Sequence, residues 1–336
     1  MADVAARVGV SKMTVSRALK RTGGLERKPA EALRLRVLQA CEEMGYVMDQ
    51  TARTFSSKRS GFVAALVPTL NNSNFSDTAH GLTAAVEAAG LQLLLGYTDY
   101  SIATEERLLK TMLARRPEGV VVTGLTHTAA ARKMLQTARV PVVETWDLPG
   151  KAIEHQVGFS NADAAAAMVH HLYARGYRSI GFIGGASDRD ARGADRRNGY
   201  LRAVQALGLP QGRVVRSGEA PIPMAQGAQA VVQLVQQWPD VDAVVCVSDH
   251  PAFGALMECQ RRGWAVPGRL AIAGFGDFEV AKACHPGITS VAVDCVDIGR
   301  RAGELLVRAI EAAREGKRLP AKRVPVAFHI EQRGST

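Results

Sequence analysis

The chain has 336 residues, 47% hydrophobic and 22% charged, which is enough apolar surface for large cores and excludes global disorder. At this length two or three domains are expected. The formal charge is +10 but unevenly spread: residues 1–60 hold 12 Lys/Arg against 6 Asp/Glu, a net +6, leaving +4 for the other 276. A basic head on a near-neutral body suits a polyanionic partner, although a solvated basic surface has the same composition.

The first 44 residues read as three helices. "ADVAARV" is short and stopped by Gly9. "SKMTVSRALK" begins at Ser11, a good N-cap, and ends before "RTGG". "PAEALRLRVLQACEEM" has Pro29 near its first position, Leu33, Val37, Cys41 and Met44 on one face, and Gly45 as a stop. The polar stretch "YVMDQTARTFSSKRSG" then reads as a linker that becomes helical only when something holds it.

From Phe62 the pattern changes. "FVAALV", "LQLLLGY", "GVVVTG" and "PVVE" are short apolar runs separated by helix-like stretches. After "HQVGFSN" the scheme restarts with "SIGFIGG", "GRVVRSG", "DAVVCVSD", "LAIAGFGD" and "ITSVAVD". Apolar strands alternating with helices imply parallel, doubly wound sheets covered on both faces, and two such sets imply two lobes. A long helix from Val296 to Glu315 and a strand "KRVPVAFHI" would close the body. The expected architecture is an all-α head (1–46), a linker (47–60) and an α/β body (61–336). The N-lobe would take about 61–159 and 291–320, and the C-lobe about 160–290 and 321–336. Ligands of open α/β sheets bind beyond the carboxyl ends of the strands, so the expected site is the cleft between lobes.

Ala5, Gly9 and Val15 give the head its meaning. A helix-turn-helix needs a small residue where its helices cross, a residue tolerant of positive φ in the turn, and an apolar residue pinning the second helix. The second helix then offers Lys12, Met13, Thr14, Ser16 and Arg17 at its N-terminus or outward face, as a recognition helix does in the major groove. An ordinary helical hairpin leaves the polar outer face and basic flanks unexplained.

Other chemistry is thinly represented. "GFIGGASDRD" is glycine-rich after a strand but is not GxGxxG, and no Walker or GxSxG motif occurs, so no enzyme is expected. Cys41, Cys246, Cys259, Cys284 and Cys295 have no CxxC or metal-ligand spacing, and three lie in apolar runs; buried thiols in a reducing compartment are expected, with no metal or cofactor. No apolar run approaches the ~18 residues of a membrane span, and no secretory h-region follows Met1, so a cytoplasmic protein is expected. The body alone would suit a periplasmic-type solute-binding protein; the missing signal peptide and the DNA-binding head argue against it.

"DVAARVGVSKMTVSRALK", "LRVLQACEEMGY" and "ARTFSSKRSG" resemble the LacI/GalR family of bacterial transcription regulators. The resemblance continues through "VPTLNNSNFSD", "RRNGY", "VSDHPAFGALMECQRRGWAVP", "LAIAGFGD" and "EQRGST", and so covers essentially the whole chain. It implies a homodimer whose heads each read half of a near-palindromic operator, with a periplasmic-binding-protein-like body sensing a small molecule. On the matching positions, Lys12, Met13 and Arg17 would meet bases, and Ser11, Thr14 and Ser16 phosphates. "DQTARTF" matches the hinge helix, with Ala52, Arg53 and Phe55 contacting DNA. Phe55 replaces the usual Leu wedge (or forms a linker–body contact), and Met48 replaces a usual Pro. The family commonly carries an arm before "DVA", so a start upstream of Met1 is expected. No heptad tail follows the last strand, so a dimer is expected over a tetramer.

The same resemblance implies an effector site. Arg196 in "RRNGY" matches the family's effector-binding Arg, suited to a carboxylate or to vicinal hydroxyls. Asn74 and Phe75 match cleft-lining positions, and Ser248 follows a strand in the same region, with Asp249 beside it as N-cap as much as ligand group. The family's effector-binding Asp position is Gly276 here, with Asp277 one later. "VPVVETWDLPG", "GLTHT" and "GFGDFE" resemble the gluconate-type branch. There Trp146 would stack on a polyol or pack between lobes, Asp147 would accept hydroxyl hydrogen bonds, and His127 would face the cleft or a surface loop. A sugar acid such as gluconate is the expected effector.

Overall fold

Helix α1 (Ala2–Val8) ends where Gly9 takes φ 74°, and the Gly9 N–H closes onto the carbonyls of Ala5 and Ala6. That left-handed turn is open to glycine at no steric cost. Ser11 then caps α2 (Lys12–Lys20), its Oγ accepting from the Thr14 N–H at 3.1 Å. Val4, Ala5 and Val8 of α1, Val15 and Ala18 of α2, and Val37 and Ala40 of α3 (Lys28–Glu43) form a core of their own. Leu33 and Cys41 pack against it, but Met44 does not: it is 43% exposed. Met44 lies past the last helical residue, in the turn to Gly45, where the helical period no longer sets its direction. Ala40 fills the inward position instead.

The computed structural model describes residues 1–20, 28–46 and 59–336. The linker positions Met48, Ala52, Arg53 and Phe55 lie outside the described residues. The chain divides into two units, Met1–Ser60 and Gly61–Thr336.

In the second unit the first strands are β1 (Phe62–Val67), β2 (Gln92–Tyr97), β3 (Val120–Thr123), β4 (Val142–Thr145) and β5 (His155–Gly158). With β11 (Arg323–Pro325) they form a sheet ordered β11-β5-β4-β3-β1-β2, every pairing parallel. Helices α4 (Ser73–Glu87), α5 (Ile102–Leu113), α6 (Ala129–Thr137) and α12 (Cys295–Arg314) belong to this N-lobe. The C-lobe sheet is ordered β12-β10-β9-β8-β6-β7, from β6 (Ile180–Gly184), β7 (Val214–Arg216), β8 (Ala243–Cys246), β9 (Ala271–Phe275), β10 (Thr289–Val293) and β12 (Phe328–Glu331). Its helices are α7 (Asn161–Ala174), α8 (Ala191–Ala206), α9 (Met224–Gln237), α10 (Asp249–Arg261) and the short α11 (Glu279–Ala283).

Three details depart from expectation. The run "KRVPVAFHI" is two strands: β11 pairs with β5 in the N-lobe, the chain crosses at Val326, and β12 pairs antiparallel with β10 in the C-lobe. The C-lobe sheet is therefore mixed, because a strand entering from the other lobe runs against its one neighbour, β10. Lobe membership changes accordingly: β10 stays with the C-lobe, α12 returns to the N-lobe, and the last crossing falls at Val326, not near 320. Finally, "HQVG" is a strand, although it carries polar residues: His155 and Gln156 are buried in it.

Candidate functional site

Packing Val15 and Ala18 inward turns the opposite side of α2 outward. Ser11, Lys12, Met13 and Arg17 are exposed, Met13 to 65%, and Thr14 and Ser16 are half-buried. An exposed Met beside two exposed cations on the first turns of a short helix has the composition of a groove-reading face. Ser11 Oγ and Thr14 Oγ1 also lie 2.9 Å apart, so the two hydroxyls form one polar patch at the helix start.

The second site is a cleft of about 830 Å³ between the lobes of the body, a volume that includes its open mouth. Each wall is a strand end followed by a helix start. Asn72 caps α4, its Oδ1 accepting from the Phe75 N–H at 3.3 Å, which fixes Asn74 and Phe75 on the N-lobe wall. On the C-lobe wall Ser248 precedes α10, and α8 contributes Arg192 and Arg196 one turn apart.

Arg196 is held on three sides. Its Nε donates to Asn161 Oδ1 and its Nη1 to the Val247 carbonyl, both at 2.9 Å, and its guanidinium lies 3.7 Å over the Phe275 ring. Asn161 in turn donates to the Trp146 carbonyl at 2.9 Å, so a chain of hydrogen bonds runs from the N-lobe to the arginine. Burial lowers the Arg196 pKa to about 10, which still leaves it charged at neutral pH. The arrangement presents a fixed cation with free donor capacity at Nη2.

Arg192 reaches across the cleft. Its guanidinium sits 5.7 Å from the Phe75 ring and 5.9 Å from the Tyr100 ring, both on the N-lobe, and 3.3 Å from Asp190 Oδ1. Burial, helped by the Asp190 charge, raises the Tyr100 hydroxyl above its ordinary range, so that ring stays neutral. At the mouth, Arg189 donates to the carbonyls of Asp99 (2.5 Å) and Tyr100 (3.1 Å), tying the two lobes together. Sequence reading passed over Arg192, Asp190, Tyr100 and Asn161. The four-residue spacing of Arg192 and Arg196 places them on one helix face and could have revealed the first.

Several expected effector residues take other roles. His127 is not in the cleft. Its side chain is fully buried, with Nδ1 2.6 Å from Glu105 and Nε2 3.3 Å from Glu144. Burial alone would lower its pKa, but the two carboxylates outweigh that and push it up to about 9. Asp277 is also elsewhere: its two oxygens face Arg333 (2.5 Å) and Lys282 (3.1 Å), making it a structural ion pair. Trp146 forms the cleft floor but is 1% exposed; its Nε1 donates to Thr78 and its ring packs between Phe75 and Phe159, so no face is free for a sugar. Asp147 lines an adjoining recess of about 470 Å³ that shares Tyr100, Asp190 and Arg192 with the main cleft. Burial, with the Asp195 charge, pushes its carboxyl up to about 6. Asp249 is wholly buried, accepting from Ser290 Oγ and the Phe278 N–H, each at 2.7 Å.

This geometry has close counterparts among known proteins. Residues 1–49 match the model of bacterial regulatory proteins, lacI family, and residues 169–336 that of the periplasmic binding protein-like domain. The HTH-type transcriptional regulator GntR of Pseudomonas aeruginosa is 36% identical over 334 residues, covering 99% of this chain and 94% of that protein. The chain is a LacI-family transcription regulator. The GntR regulator of Escherichia coli strain K12 is similar at 32% identity, over 99% of the chain and 97% of its own length. A solved LacI-family regulator from Silicibacter pomeroyi matches with a TM-score of 0.88 at 31% identity, over 99% and 98% of the two chains.

Proposed function

We propose that this regulator represses a sugar-acid operon from the cytoplasm, as a homodimer, and that an aldonate such as gluconate in the cleft controls its grip on operator DNA. Lys12, Met13 and Arg17 read base edges while Ser11, Thr14 and Ser16 hold phosphates. Ala52, Arg53 and Phe55 of the linker complete the DNA contact. The observation that carries the reading is the outward face of α2, where Met13 and the flanking cations stand exposed while Val15 and Ala18 lock the helix from behind.

The effector reading is supported by what the cleft holds: Arg196 and Arg192 as cations, with Asn74, Phe75 and Ser248 around them. A guanidinium recognises a carboxylate through paired, charge-assisted hydrogen bonds, and the surrounding acceptors suit hydroxyls.

Dimerisation is supported by β2, an edge of the N-lobe sheet. Its leucines Leu93, Leu94 and Leu95 are only half-buried, and Tyr97 and Leu70 are 63% and 47% exposed. An apolar sheet edge left to solvent is an aggregation hazard unless a partner covers it.

The test is a gel shift with promoter fragments from its own and neighbouring operons. Specific retention of an inverted-repeat fragment, released by gluconate, is expected. Retention no better than on bulk genomic fragments, with or without the aldonate, would overturn the reading.

A further inference from the structure

We infer that Asp190 and Arg192 together read the α-hydroxy-carboxylate head of the effector, Arg192 taking the carboxylate and Asp190 the neighbouring hydroxyl. The inference rests on the proposal that an aldonate occupies the cleft, and it assigns the selecting role to this pair, leaving Arg196 as an anchor.

Asp190 stands at the N-cap of α8, where an aspartate normally accepts from the helix's first free N–H groups. Here it makes no such bond. Its Oδ1 is buried and accepts no hydrogen bond from the described residues, although it lies 3.3 Å from Arg192 Nη2. The Arg192 charge offsets part of the cost of burying that oxygen, and a bound hydroxyl donating to it would offset more. Asp190 and Arg192 both line the main cleft and the adjoining recess, so a ligand in either meets both.

Arg192 supplies the complementary half. Phe75 and Tyr100 flank its guanidinium at 5.7 and 5.9 Å, fixing its position while leaving donors along its edge. The start of α8 adds the partial positive charge of its free N–H groups, which favours an anion nearby. An acceptor and a cationic fork side by side match a group that carries a donor hydroxyl and a carboxylate on adjacent carbons. Arg196 is less suited to selection, since Asn161 and Val247 already engage it.

Titration calorimetry on the full chain tests this with three probes: gluconate, sorbitol, which replaces the carboxylate by CH2OH, and 2-deoxygluconate, which lacks the neighbouring hydroxyl. The wild type is expected to prefer gluconate to each of the others by at least about tenfold. Arg192→Met should erase the preference over sorbitol, Arg192→Lys should keep part of it, and Asp190→Ala, which removes the acceptor, should erase the preference over 2-deoxygluconate. Circular dichroism melts of each variant separate lost folding from lost recognition. If folded Arg192→Met and Asp190→Ala keep both preferences, or if only Arg196→Met removes the carboxylate preference, this assignment is overturned while the aldonate reading survives. If the wild type binds no aldonate at all, the aldonate reading itself has failed.

Discussion

Single side chains divide into those that meet a ligand and those that hold the frame, and two of them make the distinction measurable. His127 has a carboxylate at each ring nitrogen, so both nitrogens must carry protons for the cluster to be satisfied. Its folded pKa lies near 9, above the unfolded value of about 6.5. The folded state therefore binds the extra proton, and the stabilisation is complete below pH 6.5 and lost as pH rises through 9. Replacing His127 with Gln should lower the body's melting temperature by several degrees at pH 6 and by much less at pH 9.5; an equal loss at both would refute the protonated cluster. On the proposed reading Arg196 is the opposite case. Lys at that position cannot donate to Asn161 and Val247 together, so Arg196→Lys should weaken gluconate binding by about tenfold or more while leaving the melting temperature within about 3 °C. The first of these residues could not be placed from sequence, because Glu105 and Glu144 stand 22 and 17 positions away in the chain. The second could, since a motif rather than a distance marks it.

At the scale of elements, the readable features were those with a local physical cause. Buried parallel strands are continuous apolar runs, and β1, β3, β6, β8 and β9 announce themselves that way. The strand β5 did not, because the polar His155 and Gln156 are accommodated by partners far away in the chain: the Lys322 N–H donates to His155 Nδ1, and Arg323 donates to Gln156 Oε1. Those partners lie on or beside β11, so β5 and β11 explain each other and neither is obvious alone. The helix pair α7–α8, which sets the distance between Asn161 and Arg196, depends on a single missing side chain. A Cβ on Gly199 would lie 2.0 Å from the Ala162 carbonyl oxygen, a backbone atom that cannot turn away. Gly199→Ala should therefore force the helices apart, costing about 3 kcal/mol or more and weakening effector binding with it. Gly9→Ala provides the contrast. Its Cβ would meet nothing within 4 Å, so only the left-handed turn resists, at about 1 kcal/mol. Chemical denaturation of the two variants should rank them in that order, and the reverse order would show that the α7–α8 crossing is not the constraint.

On the proposed reading the two sites of the whole molecule share free energy, and that sharing has a measurable symmetry. The head carries +6 on 60 residues, so operator affinity should fall steeply with salt, by roughly 0.9 in log K per log unit of salt for each phosphate contact. Lys12→Ala should reduce that slope by about one if Lys12 meets a phosphate, and should instead change sequence preference at constant slope if it meets a base. The effector acts differently. If gluconate lowers operator affinity by some factor, the operator must lower gluconate affinity by the same factor, because both shift one equilibrium between binding-competent and incompetent states. Titrating gluconate into the free regulator and into the operator complex, at one salt concentration, should give two dissociation constants whose ratio equals the ratio of operator affinities with and without saturating gluconate. Equal gluconate affinities alongside a gluconate-sensitive gel shift would mean that the aldonate acts from a site other than the one measured, and the cleft would lose its regulatory role.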